Sequence, residues 1–208
     1  MSTFDLVAPE RRRLADELDQ LGADDWARPS LCGAWTNHEV AAHLNVPFVM
    51  GPPAFLMGML RARGNFDKAN AGFARDLAAK LDPAGCVAGL RANAAHKFTP
   101  PGFKFEAPLT DTIAHGADIL RPLGRSVAPD PEALRVVLTF LASGKARRFG
   151  AVDVRPISLA ATDLDSEAFG AGGALLSGPS VSLVGALLGR RAFLADLTGP
   201  GVDVLSAA

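Results

Sequence analysis

Thr36-Asn37-His38-Glu39-Val40-Ala41-Ala42-His43-Leu44 is the stretch from which the fold can be read. Thr36 and Glu39 have the spacing of a capping box. The hydroxyl accepts from the backbone N–H of Glu39, the carboxylate accepts from the N–H of Thr36, and a helix starts there. His43 then falls well inside the helix among apolar neighbours. It reads either as a core histidine bonded to a backbone carbonyl or as a ligand. The run His38-Glu39 followed by His43 imitates a zinc-protease helix, but that motif needs its second histidine one residue earlier. Five positions apart on a regular helix, the two rings point about 140° away from each other. Glu39 stands four residues before His43 and can orient it, although completing the cap is the job its position favours.

Working outward, the same helix should run to about Pro47 and resume beyond Pro52-Pro53 to about Arg63. Leu44 to Leu60 is uncharged and nearly long enough to span a bilayer. Asn45 and three prolines argue instead for a kinked, buried helix pair. Phe48, Met50, Phe55, Met57 and Met59 in this run are expected in the bundle core, or as an adaptable wall of a substrate pocket. Upstream, Phe4, Val7, Arg11, Leu14, Leu18 and Leu21 recur at alternating threes and fours, the stripe of an amphipathic helix. Downstream, helices are expected from about Phe66 to Lys97 with a break at Pro83-Ala84-Gly85, from Pro108 to Arg121, and from Pro131 to Arg148. Beyond Gly150, Val152–Thr162 and Gly170–Gly178 read as two or three short strands before a last helix from Ser180 to Leu197. The layout is mainly α: a helix bundle over residues 1–150 and a small α+β region over residues 151–208.

The chain has 208 residues, with 21 basic against 22 acidic side chains. A net charge of −1 argues against nucleic acid as a partner, because a phosphate-binding surface needs a cationic excess. The basic residues are 16 Arg and 5 Lys and Tyr is absent, a bias of base composition and not of function. Cys32 and Cys86 form no CxxC pair and no disulfide framework. The N-terminus shows no basic stretch followed by an apolar one, so the expectation is a cytoplasmic protein without a membrane span.

Asp111-Thr112-Ile113-Ala114-His115 is the most informative spacing. At i and i+4 a carboxylate and an imidazole share one helix face about 5–6 Å apart, close enough to bind one divalent metal. A capping Asp beside a solvated or core His gives the same pattern. Asp118 continues the stripe, within reach of an imidazole N–H. Cys32 lies before Gly33 in a turn without a local His and suits packing. Arg190 and Arg191 can bind an anion or complement a helix dipole.

The order of motifs resembles the mycothiol-dependent maleylpyruvate isomerase family, within the broader DinB-like metal-binding four-helix bundles. The motifs are Glu10-Arg11 with Leu14 and Leu18; Asp25-Trp26; Pro29-Ser30-Leu31-Cys32-Gly33-Ala34-Trp35-Thr36; and His38 to Leu44. They continue through Pro108-Leu109, Asp111-Thr112, His115-Gly116-Ala117-Asp118-Ile119 and Arg121-Pro122-Leu123-Gly124, ending with Leu187-Leu188-Gly189-Arg190-Arg191 and Gly199-Pro200-Gly201-Val202. The resemblance implies a DinB-like four-helix bundle and a divalent metal, zinc by family habit, held by His43, Asp111 and His115. It also implies mycothiol as the thiol cofactor, with metal-assisted thiol transfer to a small electrophile or its cis/trans isomerisation. The alternative is a non-catalytic protein that binds a metal and a small ligand. Asp111 stands where the characterised isomerase type has Glu, which leaves the cognate ion open.

Overall fold

The computed structural model describes residues 2–33, 35–154, 156–165, 167–170 and 172–207. Ala34, in one motif quoted above, and Arg155 and Ala171, in or beside the expected strands, lie outside the described residues.

Helix α1 spans Thr3–Leu18, the short α2 Ala23–Ala27, and α3 Asn37–Val49. The capping box is formed as expected, with the Thr36 N–H donating to Glu39 Oε2 at 2.8 Å and the Glu39 N–H to Thr36 Oγ1 at 3.2 Å. Helix α3 continues two residues past Pro47, whose missing N–H leaves the His43 carbonyl without its usual i+4 donor. Helix α4 (Pro52–Arg61) starts on the two prolines, where no intrahelical N–H is needed. The expected 66–97 region divides into α5 (Phe66–Ala78) and α6 (Pro83–Ala92), with Asp82 capping the second through the Gly85 N–H. Helix α7 runs Glu106–Leu120, accommodating Pro108 in its first turn, and α8 runs Pro131–Ala142. Gly144, at φ +72°, ends α8 before the predicted Arg148, and a 3-10 turn covers Lys145–Phe149.

The expected strands are β1 (Ile157–Ala161), β2 (Glu167–Phe169) and β3 (Ala174–Gly178), in sheet order β2-β1-β3. Leu159 faces Phe169 in the antiparallel pair and Leu176 in the parallel one. The last helix is shorter than its sequence suggested. Helix α9 covers Ser180–Leu187, and Gly189 at φ +82° stops it. A 3-10 segment at Arg191–Asp196 and a helix α10 at Gly201–Ser206 follow. None of the described helices is long and apolar enough to cross a membrane.

Helices α1, α3, α6 and α7 pack against one another, with α5 along α3. One apolar core joins Leu14, Leu18, Val40, Leu44, Leu90 and Ile119 under Trp26 and Trp35. A second joins Leu109, Ile113 and Leu138 to Ile157, Leu159 and Leu187, so the sheet and α9 close over α7 and α8. Helix α7 serves both cores and is buried all round from Ala107 to Leu120, except at Asp111. Such a helix has no solvent face, and its polar residues therefore need partners inside. One expectation fails here: none of the residues of α4 is buried, and Phe55 and Met57 are not core.

Replacing Thr36 by Ala should remove one helix-start hydrogen bond and lower the unfolding free energy by about 1 kcal/mol. Urea denaturation should show a reduced midpoint at unchanged slope.

Candidate metal centre

Helix α3 carries His43 inward beside Trp35, and α7 carries Asp111, His115 and Asp118 along the stripe that faces it. His43 and His115 meet edge to face with ring centroids 4.8 Å apart. The Trp35 ring lies 5.2 Å from His43 and 6.2 Å from His115, an apolar wall on the cluster. His43 Nε2 lies 3.6 Å from Asp111 Oδ2, and His115 Nε2 lies 3.4 Å from Asp111 Oδ1. Donors bound at about 2 Å on a tetrahedron stand about 3.3 Å apart, so these separations fit one shared ion.

Orientation supports the same reading. His115 Nδ1 lies 2.9 Å from Asp118 Oδ2, a carboxylate that can only accept, so Nδ1 carries a proton and Nε2 is the nitrogen turned into the cluster. Asp118 itself is sealed from solvent and is gripped in turn by Arg190. Arg190 Nε donates to Oδ1 at 3.1 Å and Nη2 to Oδ2 at 2.9 Å. His43 Nδ1 is buried with no hydrogen-bond partner, so nothing comparable fixes the second imidazole. The Asp111 side chain is 29% exposed against 11% for His43 and 9% for His115, and solvent therefore reaches the cluster on the Asp111 side.

The charges are coupled. Burial opposes ionisation of Asp111, yet the facing His43 and His115 hold its carboxyl well below the ordinary carboxylate range. Burial likewise opposes a charged His115, but Asp111 and then Asp118 push its pKa well above the usual imidazole value. Asp118 is held low against burial by His115 and Arg190, and the Arg190 guanidinium is pushed up by Asp118.

The three residues His43, Asp111 and His115 are thus brought together, and Asp118 takes the accepting position its spacing suggested. His38 and His96 are elsewhere: His38 Nε2 is 2.8 Å from the Leu81 carbonyl, and the His96 ring lies 5.3 Å from Phe48. Two residues have neighbours that the sequence does not show. Arg190 comes from 72 positions beyond Asp118, a contact with no local signature. Cys32, read as lacking a histidine, has its Sγ 3.7 Å from Arg190 Nη2 and shares a group of potential ligands with His115 and Asp118. Its turn is pinned to α7 by the Leu31 N–H, which donates to the Asp118 carbonyl at 3.0 Å. Gly33, at φ +59°, supplies the left-handed residue the turn needs. Arg191 points away, donating to the Ser206 carbonyl.

Fold and site together define a helical bundle whose buried central helix presents a His/Asp/His cluster suited to a divalent ion. Residues 7–97 match the family model described as the mycothiol maleylpyruvate isomerase N-terminal domain, in line with the resemblance read from the motifs. The fold is similar over nearly the whole chain to a crystal structure of the mycothiol-dependent maleylpyruvate isomerase. That structure shows 19% identity and a TM-score of 0.56, covering 97% of this chain and 96% of that one. A histidine-to-alanine mutant of that isomerase gives 17% identity, a TM-score of 0.55 and the same coverage. No curated protein matches by sequence.

Two outcomes follow. Because Asp111 and Asp118 keep a proton on metal-free His115, an incoming ion must displace it. Apparent metal affinity should therefore rise with pH, about tenfold per unit below the raised His115 pKa, with proton release visible by calorimetry in buffers of different ionisation enthalpy. Asp118→Asn should free His115 to change tautomer and weaken metal affinity about 10- to 100-fold in competitive chelator titrations.

Proposed function

We propose that the chain is a metal-dependent enzyme that uses mycothiol to isomerise, or to conjugate, a small electrophilic substrate. The observation that carries this reading is the convergence of His43 Nε2, His115 Nε2 and the Asp111 carboxylate at one solvent-reachable point. The matched N-terminal domain supports mycothiol as the thiol. Three N/N/O ligands leave a coordination position free, as a catalytic site requires and a structural one does not. A divalent ion bound there, zinc by family habit, supplies the positive charge that keeps a coordinated thiol ionised at neutral pH.

The remaining roles belong to this chain. Asp118, braced by Arg190, holds the His115 proton on Nδ1 and keeps Nε2 available. Trp35 covers the two imidazoles and limits water to the Asp111 side. The chain's own thiols suit the nucleophile's part poorly. Cys86 is fully buried, with its pKa pushed up to about 12 by burial and then by Asp82. Cys32 lies on the Nδ1 face of His115, with Asp118 and Arg190. A nucleophile supplied from outside is consistent with this arrangement. The protein acts on small molecules, and we place it in the cytoplasm. We retain residues 1–150 as the metal-binding bundle and 151–208 as the region that delivers Arg190.

Metal analysis and mycothiol titration on one sample, followed by a panel of electrophiles, test the reading. About one divalent ion per chain, mycothiol binding and turnover are expected. His43→Ala and His115→Ala should each cost more metal affinity than the 10- to 100-fold typical of losing an outer hydrogen-bond partner, and should abolish turnover. Metal and mycothiol binding without turnover of any electrophile would make the chain a binding protein instead.

A further inference from the structure

His43 and His115 bring their nitrogens to the same cluster but are held in unlike ways. His115 hangs on hydrogen bonds that run through Asp118 to Arg190. His43 has no such hold, since its Nδ1 is sealed from solvent without a partner. An imidazole with an unbonded outer nitrogen can rock about its terminal torsion, which joins a tetrahedral to a planar carbon and has broad wells. Ring contacts then have to hold it. Trp35 and His115 supply them, at 5.2 Å and 4.8 Å between centroids. The indole is tilted by only 36° to the His43 ring, whereas His115 meets it edge to face. Trp35 is itself mounted on both ligand-bearing helices. It directly precedes Thr36, the cap of α3, and its carbonyl accepts from the Ser30 N–H and hydroxyl, each at 2.9 Å. The neighbouring Leu31 is fastened to α7 through the Asp118 carbonyl.

We propose that Trp35 is the positioning residue of His43: its indole, by stacking, sets the plane of an imidazole whose outer nitrogen no hydrogen bond holds. It thereby does for His43 what Asp118 does for His115. A stacked ring fixes the plane only, and the choice of Nε2 for the cluster falls to Asp111, whose Oδ2 is 3.6 Å away. The simpler duty of Trp35 is to staple the start of α3. It stands one residue before the cap and Val40 four residues after it, both in one apolar core, which is the arrangement of a hydrophobic staple. A staple needs an apolar side chain of any shape, whereas holding the plane of an imidazole needs a flat face. The two duties therefore separate on substitution. The consequence for ion affinity rests on the metal-dependent reading above, but the order of the His43 ring is a property of the metal-free chain.

Trp35→Phe and Trp35→Leu provide the test, with Trp35→Met as a second ringless variant should the branched side chain not pack. All of them lose buried ring area, so each should lower the urea midpoint. In competitive chelator titrations with zinc, the folded ringless variants should bind about tenfold more weakly than wild type, and Trp35→Phe within about threefold of it. Relaxation dispersion of the imidazole carbons in the metal-free protein gives a reading that a staple would not move. The His43 signals should gain exchange broadening in the ringless variants, with Trp35→Phe close to wild type and His115 unchanged in all. Line width decides here, since losing the indole shifts the signals through its ring current in any case. Wild-type zinc affinity in a folded ringless variant overturns the proposal, and so do His43 signals that stay sharp there. A Trp35→Phe chain as weak as the ringless ones overturns it as well. If the wild-type chain takes up no zinc, the metal-dependent reading falls, and the His43 line width alone decides whether Trp35 orders the ring.

Discussion

A carboxylate sealed inside a protein is unstable without counter-charge, and Asp118 is sealed completely. It is held by Arg190 on one side and His115 on the other. This three-part contact links a residue near the C-terminus, the middle of the central helix and the imidazole that faces His43 and Asp111. Breaking a buried ion pair costs on the order of 3–5 kcal/mol, and without Arg190 the Asp118 carboxylate would keep His115 alone. The closure of the α+β region over α7 and the tautomer of His115 therefore depend on the same interaction.

The consequence for chemistry is an asymmetric site. The Nδ1 face of His115 is occupied by Asp118, with Arg190 and Cys32 close by, and the Nε2 face turns towards His43 and Asp111. Asp111 is the only residue of α7 between Ala107 and Leu120 that is not buried, so solvent access and the candidate ligand carboxylate coincide at one side chain. Asp is one methylene shorter than Glu. Its carboxylate nevertheless reaches both imidazoles, because α3 and α7 pack directly on each other.

The parts of this that were legible in the sequence are those written locally. Thr36 and Glu39 announce the helix that carries His43, and the i, i+4 step from Asp111 to His115 announces a shared face. Asp118 at i+3 from His115 is likewise a local relation. Arg190 was not legible as a partner, since a chain separation of 72 residues leaves no periodic trace and a cation near a helix end has an ordinary use. The neighbours of Cys32 were not legible for the same reason: they are close in space only. Helix α4 deceived in the opposite way. Its apolar composition suggested a core, but Phe55, Leu56, Met57 and Leu60 are exposed in the fold, since composition alone does not decide burial. The last helix was overextended because Leu187-Leu188 continues the apolar run, while Gly189 takes up a left-handed backbone that ends it.

X-ray absorption spectroscopy on the metal-loaded protein tests the central claim most directly. The account predicts two imidazoles with nitrogen and oxygen scatterers at about 2.0–2.2 Å and no sulfur in the absence of added thiol. A sulfur scatterer at about 2.3 Å would place the ion with Cys32 on the other face of His115. A single imidazole would remove His43 from the ligand set. Either result would contradict the assignment.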